Sequence, residues 1–239
     1  MPESSIVELR RYTLHPGQRD TLIELFDREF VETQETAGMR VIGQFRDLDD
    51  ANRFVWLRGF ADMAARAAGL DAFYGGPVWQ THRDAANATM VDSDDVLLLR
   101  PAWLGAGIDS DTPARATPGS TAQPAGLLDV SVFPLRAPAS DELLALCRDM
   151  FSPLLRQHGA QRTGWYVTEH SPNNFPRLPV REDGPVLVGL AMFDHMTAFN
   201  AFLRSGAWAR QAQPLLAPWL ACPANGLRLV PTARSALHA

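Results

Sequence analysis

The chain has 239 residues, 46% of them hydrophobic and 21% charged, with a net charge of −5, a composition typical of globular proteins. Its arginines are scattered rather than gathered in a stripe, so nucleic acid is not an expected partner, and no apolar run approaches the ~20 residues of a membrane span. All 22 basic residues are arginine, which excludes Schiff-base and P-loop lysine chemistry and leaves acid–base work to carboxylates, His, Tyr and Cys.

The first half of the chain is predicted to fold in the order β-α-β-β-α-β. It opens on the strand pattern "IVELRRYTL", and a helical pattern ending at Gly38 follows. The next strands are "MRVIGQFRD" and "RFVWLRGF", joined by a short polar turn. Two helical stretches and a closing strand, "DVLLLRP", complete the half.

The second half repeats this order after a segment without element signals. Residues 105–126 are rich in Gly, Ala, Pro, Ser and Thr, and Ile108 is their one large apolar residue, which predicts a flexible linker. From "LLDVSVFPLR" to "GLRLVPT" the same succession of elements returns. We therefore predict two ferredoxin-like repeats, residues 1–104 and 127–234.

Each repeat would leave one apolar sheet face in water if it stood alone. The predicted fold is therefore α+β, with the tandem ferredoxin-like repeats closing into one barrel as a pseudo-dimer within the chain. Exposed strand edges would also allow a homodimer of chains. The start of the chain lacks the features of a secretory signal, so we expect a cytoplasmic protein without membrane contacts.

Several motifs carry a resemblance to a known family. They are "VELRRYTLHPG" in the first strand, Trp56 with Arg58, Arg66, Trp79 with His82, and the later stretches "NNFPRLPVRE" and "LRLVPTARS". These resemble the NIPSNAP family in its two-repeat bacterial form. The resemblance implies a dimeric α+β barrel around a central space. Wider relatives with this barrel include cofactor-free monooxygenases, lactone isomerases and haem-binding proteins, and some animal members resemble mitochondrial interaction proteins.

The strand "RFVWLRGF" presents one aliphatic face and one aromatic face that contains an arginine. On the barrel hypothesis, Val55 and Leu57 face the helices. The aromatic face and its neighbours on the first strand then face the barrel interior, a set that consists of Glu8, Arg10, Tyr12, Phe54, Trp56, Arg58 and Phe60. A slip of one residue would invert this assignment.

The second half has smaller residues at the corresponding positions. Aligning the repeats places Asp129 at Glu8, Ser131 at Arg10, Gly189 at Trp56 and Ala191 at Arg58. We therefore predict an asymmetric interior, with polar and aromatic groups on one side and open volume on the other.

Such a wall suits a small carboxylated or carbonyl-bearing ligand. The expected binding residues are Glu8, Arg10, Trp56, Arg58, Phe60 and Arg66, and the expected catalytic residues are Tyr12 and His82. The alternative is a structural one, in which Glu8 and an arginine merely neutralise each other. Arg66 lies among alanines and fits a solvated helix face as well as a pocket mouth.

The hairpin insertion at residues 170–185 is long and contains several prolines. It could be a lid, a strap onto the other half or a dimer contact, and a strap is the default. Its polar residues as a lid would be His170, Asn174 and Arg177.

Two classes of function follow from these observations. The first is a small-molecule enzyme or binder with cofactor-free monooxygenase-like or isomerase-like chemistry. The second is a non-catalytic interaction or scaffold protein with a filled barrel. The six histidines have no metal-ligand spacing, so no metal is expected. No cofactor is expected either, and haem held by one helical histidine is a third hypothesis.

Overall fold

The computed structural model describes residues 3–108 and 114–239, so residues 109–113 of the predicted linker lie outside the described residues. The strands of the first half are β1 (Ile6–Leu14), β2 (Arg40–Asp47), β3 (Arg53–Phe60) and β4 (Met90–Pro101). Its helices are α1 over residues 19–36, α2 (Met63–Gly75) and α3 (Pro77–Asn87). A π-helical turn, Phe26–Phe30, interrupts α1 between the α-helical parts Arg19–Leu25 and Val31–Thr36.

The second half repeats this order of elements. Its strands are β5 (Leu127–Pro134), β6 (Ala160–Thr168), β7 (Val186–Phe193) and β8 (Asn225–Pro231). Its helices are α4 over residues 141–157, with a π-helical turn at Cys147–Phe151, α5 (Met196–Ser205) and α6 over residues 208–216. None of the helices in the described ranges is long and apolar enough to cross a membrane.

The eight strands form one closed barrel in the order β1-β3-β2-β8-β5-β7-β6-β4, and every neighbouring pair is antiparallel. Each half contributes four adjacent strands. The two joints are β2 with β8, where Phe45 lies opposite Pro231, and β4 with β6, where Leu99 lies opposite Thr168. The predicted intrachain α+β barrel is confirmed. The expected homodimer of chains was based on exposed strand edges. In the barrel the outer strands of each half pair with those of the other half, so these edges are already paired within the chain.

Aliphatic side chains from both halves fill the barrel interior. One cluster joins the β1 and β3 residues Val7, Leu9, Val55 and Leu57 to Leu128, Val130, Val188 and Leu190 of the second half. Each of these is at most 1% exposed. The barrel interior is therefore a packed core, and the expectation of a ligand in that space is wrong.

The inward and outward faces of β1 and β3 are thus the reverse of the predicted ones. Trp56 lies under α1, with its ring centroid 4.8 Å from that of Phe26, and Tyr12, Phe54 and Phe60 belong to the same layer between sheet and helices. The aliphatic faces point inward because aliphatic side chains from the two halves can pack against each other inside the barrel. The charged groups instead need partners such as Gln34 of α1 and Arg66 of α2, which only the helices supply.

The described ends of the segment 105–126 contain no helix or strand, yet they pack against the barrel. Ile108 is 2% exposed, and its backbone N–H donates to the Tyr166 hydroxyl at 2.9 Å. Arg115 donates to the Glu35 carboxylate at 2.8 Å. These contacts hold both described ends of the segment against the barrel.

Candidate functional site

A buried charge cluster around Glu8 lies between the first sheet and its helices. Glu8 Oε2 accepts hydrogen bonds from Arg10 Nη1 at 2.8 Å and Arg58 Nη2 at 2.6 Å, and Oε1 accepts one from Arg66 Nε at 2.7 Å. All four side chains are at most 2% exposed. Burial by itself would raise the pKa of the Glu8 carboxyl, but the three guanidiniums hold it well below its usual value.

The remaining contacts of the cluster are neutral. Arg58 Nη1 donates to Gln34 Oε1 at 3.0 Å, and Arg10 Nε donates to the Tyr12 hydroxyl at 3.0 Å. Burial raises the pKa of Tyr12 above its usual value. The guanidinium carbon of Arg58 lies 5.0 Å from the Trp56 ring centroid and 5.5 Å from that of Phe60.

Seven predicted site residues therefore meet in one layer, namely Glu8, Arg10, Tyr12, Trp56, Arg58, Phe60 and Arg66. His82 lies on α3 and does not join them. Its contacts are with two residues of α1, namely Glu29 at 3.6 Å and the Phe30 ring. Within the protein the Glu8 carboxylate is fully paired, which agrees with the structural alternative raised by the sequence.

The strap loop, residues 170–185, lies across the first half. Asn174 Oδ1 accepts a hydrogen bond from Arg66 Nη1 at 2.7 Å. Arg177 is exposed and lies 3.7 Å from Asp71, whereas His170 lines a separate surface depression with Arg181. Of the three expected lid residues, Asn174 is the one that reaches the cluster.

The matching layer of the second half contains a pocket instead of a charge cluster. Asp129 lies opposite Ala191 in the β5–β7 pair, as Glu8 lies opposite Arg58 in the β1–β3 pair. Ser131 lies opposite Gly189, where the first half pairs an arginine with a tryptophan. These small residues leave a cavity of about 150 Å³. The predicted asymmetry between the halves exists. However, the charged residues lie between sheet and helices of the first half and the open volume lies in the corresponding layer of the second half, so the two do not face each other.

Aromatic and aliphatic side chains form the walls of this pocket. They are Phe133, Leu155, Trp165, Phe199, Phe202, Leu203 and Trp208. Trp165 is held in place because its Nε1 donates to Ser152 Oγ at 2.8 Å, and Ser152 in turn donates to the Cys147 carbonyl at 2.9 Å across the π-helical turn of α4. A Cβ at position 189 would lie 2.8 Å from the Trp165 ring, so glycine lets the indole lie against β7.

Asp129 is the charged group of the pocket. Among the described residues its carboxylate has no hydrogen-bond or ion-pair partner. The arginine opposite it on β8, Arg228, is bonded to Asp49 instead. Burial raises the pKa of Asp129 to about 7, with Arg228 acting in the opposite direction. A carboxyl that titrates near neutral pH in an aromatic pocket suits general acid–base chemistry.

Asp129 is the residue that the sequence reasoning missed as a functional one. Its position was aligned with Glu8, but the second half was expected to supply only open volume. The available signal was an acidic residue on a buried strand face with alanine, rather than arginine, at the partner position 191. In the described part of the chain no group of three or more His, Cys, Asp or Glu side chains could hold a metal ion.

Residues 7–104 match the model of the NIPSNAP family, which agrees with the resemblance found in the sequence. No curated protein matches the chain in sequence.

Three solved structures resemble the fold over nearly the whole chain. A candidate monooxygenase from Fusobacterium nucleatum subsp. nucleatum is 7% identical, with 97% of this chain and 94% of that chain covered and a TM-score of 0.62. A candidate monooxygenase from Lactobacillus acidophilus is 12% identical, with 98% of each chain covered and a TM-score of 0.55. An anthrone oxidase-like protein is 14% identical, with 98% of this chain and 95% of that chain covered and a TM-score of 0.56. At these identities the similarity establishes the α+β barrel fold and assigns no activity.

Proposed function

We propose that this chain, whose residues 7–104 match the model of the NIPSNAP family, binds a small aromatic carbonyl compound in the second-half pocket and removes a proton from it with Asp129. The observation that carries the proposal is the unpaired carboxylate of Asp129 among aromatic walls. The cavity of about 150 Å³ matches the size at which an engineered protein cavity holds a benzene ring.

The proposed step is a proton transfer from a C–H group beside a carbonyl. The proton passes to the Asp129 carboxylate, and the electron pair of the broken C–H bond forms an enolate on the substrate. Ser131 lies two residues further on the same strand face and lines the same pocket, so its hydroxyl is a suitable donor to the enolate oxygen. The aromatic walls limit the access of water to the enolate.

Two outcomes are open to such an enolate. Return of the proton at another carbon is an isomerisation and consumes no other reagent. Reaction with dioxygen converts a CH₂ group into a carbonyl, and the second oxygen atom leaves as water with the two hydrogens. The oxidative course is included because two of the fold neighbours are described as candidate monooxygenases and one as anthrone oxidase-like.

The scaffold alternative shares one feature with the structure, because the barrel interior is filled. The pocket favours a ligand-binding function, since it lies outside that core and combines aromatic walls with one carboxylate.

Proton transfer is measured as deuterium uptake by 2-indanone, whose benzene ring carries acidic CH₂ groups next to a ketone. We expect the protein to accelerate uptake in D₂O at neutral pH, as followed by NMR. Asp129→Asn should lower the catalysed rate about 10²-fold, because it removes the general base and keeps the side-chain shape. Asp94→Asn, which makes the same change at an exposed aspartate, should keep the full rate.

A second variant tests the location of the reaction. Ala191→Leu fills the cavity and should abolish both the exchange and the quenching of tryptophan fluorescence by 2-indanone, since Trp165 and Trp208 line the pocket. Oxygen consumption in the same sample distinguishes oxidation from proton exchange alone. An unchanged rate in Asp129→Asn, or no acceleration with either 2-indanone or acetophenone, would contradict the proposal.

A further inference from the structure

We propose that the first half contains a second site, for an aromatic carboxylate, and that residues 173–175 of the strap loop fill it in this structure. The inference is independent of the pocket at Asp129. It rests on the charge of the Glu8 cluster, on the partners of Arg66 and on the position of Phe175.

The Glu8 cluster carries uncompensated positive charge. Three arginines, Arg10, Arg58 and Arg66, face the single carboxylate of Glu8, so the buried group has a net charge of three minus one, or +2. The further partners of Arg10 and Arg58 are the Tyr12 hydroxyl and the Gln34 amide, which are neutral. Buried charges are normally balanced, so a bound anion would reduce the net positive charge of this cluster.

Arg66 shows where such an anion would bind. Its Nη1 donates to Asn173 Oδ1 at 3.1 Å and to Asn174 Oδ1 at 2.7 Å. Its Nη2 is buried and has no hydrogen-bond partner among the described residues. A carboxylate bridges two guanidinium nitrogens with two hydrogen bonds, whereas the two amide oxygens are neutral and satisfy only one of these nitrogens.

The next residue of the strap loop supplies an aromatic ring. Phe175 is 5% exposed, and its ring centroid lies 5.9 Å from that of Tyr74, which in turn lies 4.8 Å from that of Trp79. Segment 173–175 therefore places amide oxygens on an arginine and a phenyl ring in an aromatic layer. An aromatic carboxylate such as benzoate offers the same two features, with the missing negative charge in addition.

The segment lies outside the barrel, and few polar contacts hold it to the first half beside the buried ring of Phe175. Asn174 is exposed, and apart from Arg66 its side chain bonds only the Met63 carbonyl. The Arg177–Asp71 pair is 71% exposed on both sides, so it contributes little. Displacement of the segment removes both amide partners of Arg66 Nη1.

The probe is benzoate, and the matched neutral control is benzamide, both titrated into the full chain by calorimetry. Phe175→Ala vacates the ring position and should bind benzoate about tenfold more tightly than the unaltered protein, since the displacement of the segment no longer opposes binding. Asn174→Asp supplies a carboxylate to Arg66. It should raise the Tm by about 2 to 4 °C and weaken benzoate binding at least tenfold. Ala191→Leu, which closes the other pocket, should leave benzoate binding unchanged.

Equal binding of benzoate and benzamide in both proteins would overturn the proposal, and so would a lower Tm in Asn174→Asp. Loss of benzoate binding in Ala191→Leu would place the benzoate in the other pocket and also overturn it. If Phe175→Ala does not fold, Asn174→Ala keeps the phenyl ring and removes the shorter of the two hydrogen bonds made by Arg66 Nη1. Asn174→Ala should then bind benzoate, but not benzamide, more tightly than the unaltered protein does. Equal affinity of this variant for both compounds would contradict the site.

Discussion

Replacing Glu8 by glutamine is expected to lower the free energy of unfolding by about 3 to 5 kcal/mol, the cost of breaking a buried ion pair. The variant leaves Arg10, Arg58 and Arg66 desolvated without their carboxylate. The pKa of Glu8 is lowered in the folded state from the ordinary 4.5, so its ionised form contributes full stability above that value. The contribution is lost only as the pH falls below it.

The loss in Glu8→Gln should therefore be constant from pH 6 to pH 8 and should shrink in more acidic solution. Urea unfolding at several pH values measures it. Glu24→Gln changes an exposed glutamate of α1 and should shift stability by no more than about 0.5 kcal/mol. If the two variants were equally stable, the ion pairs of Glu8 with the three arginines would not contribute to the stability of the protein.

Replacing Asp129 by asparagine should have the opposite effect on stability and make the protein more stable at pH 8 by about 2 to 4 kcal/mol. Burial raises the pKa of Asp129 from 3.8 to about 7, and a tenfold change in an acid dissociation constant corresponds to about 1.4 kcal/mol. Between these two pKa values the folded state binds more protons than the unfolded chain. The unaltered protein therefore loses stability as the pH rises from about 4 to 7 and loses no more above 7.

Asparagine cannot ionise, so the variant escapes this loss. Its advantage should be absent near pH 4, grow toward pH 7 and then remain constant. Asp94→Asn, at an exposed position, should follow the unaltered protein at every pH. Parallel curves for Asp129→Asn and the unaltered protein would show that the carboxyl titrates normally. A residue whose replacement stabilises the fold and slows the reaction is retained for function.

Much of the fold follows from the sequence because two halves repeat one pattern. The strand "RFVWLRGF" and its counterpart "PVLVGLAMF" alternate with period two. The predicted equivalence of Asp129 with Glu8 and of Ala191 with Arg58 agrees with the sheet, where Glu8 lies opposite Arg58 and Asp129 lies opposite Ala191. Which face points inward could not be decided in this way. Both faces of β3 are apolar enough to be buried, so alternation separates the two sets of side chains without orienting them. The orientation depends on packing between halves that are distant in the chain.

Most residues of the charged cluster around Glu8 were predicted from the sequence, but their location between sheet and helices was not. The residues around Glu8 were identified because buried charges on a strand are rare. Asp129 was missed because what distinguishes it is the lack of a partner, and the partners of a side chain depend on tertiary structure. The bond between Arg66 and Asn174 joins residues 108 positions apart, and only the general expectation of a strap could be drawn from the sequence.

The pH dependence of 2-indanone exchange tests the central claim most directly, because it links the titration of Asp129 to the reaction. The catalysed rate should rise about tenfold per pH unit below 7, level off above about 7, the value of the Asp129 pKa, and lose this dependence in Asp129→Asn. A rate that is independent of pH between 5 and 8, or the same rise in the variant, would contradict the assignment of Asp129 as the base.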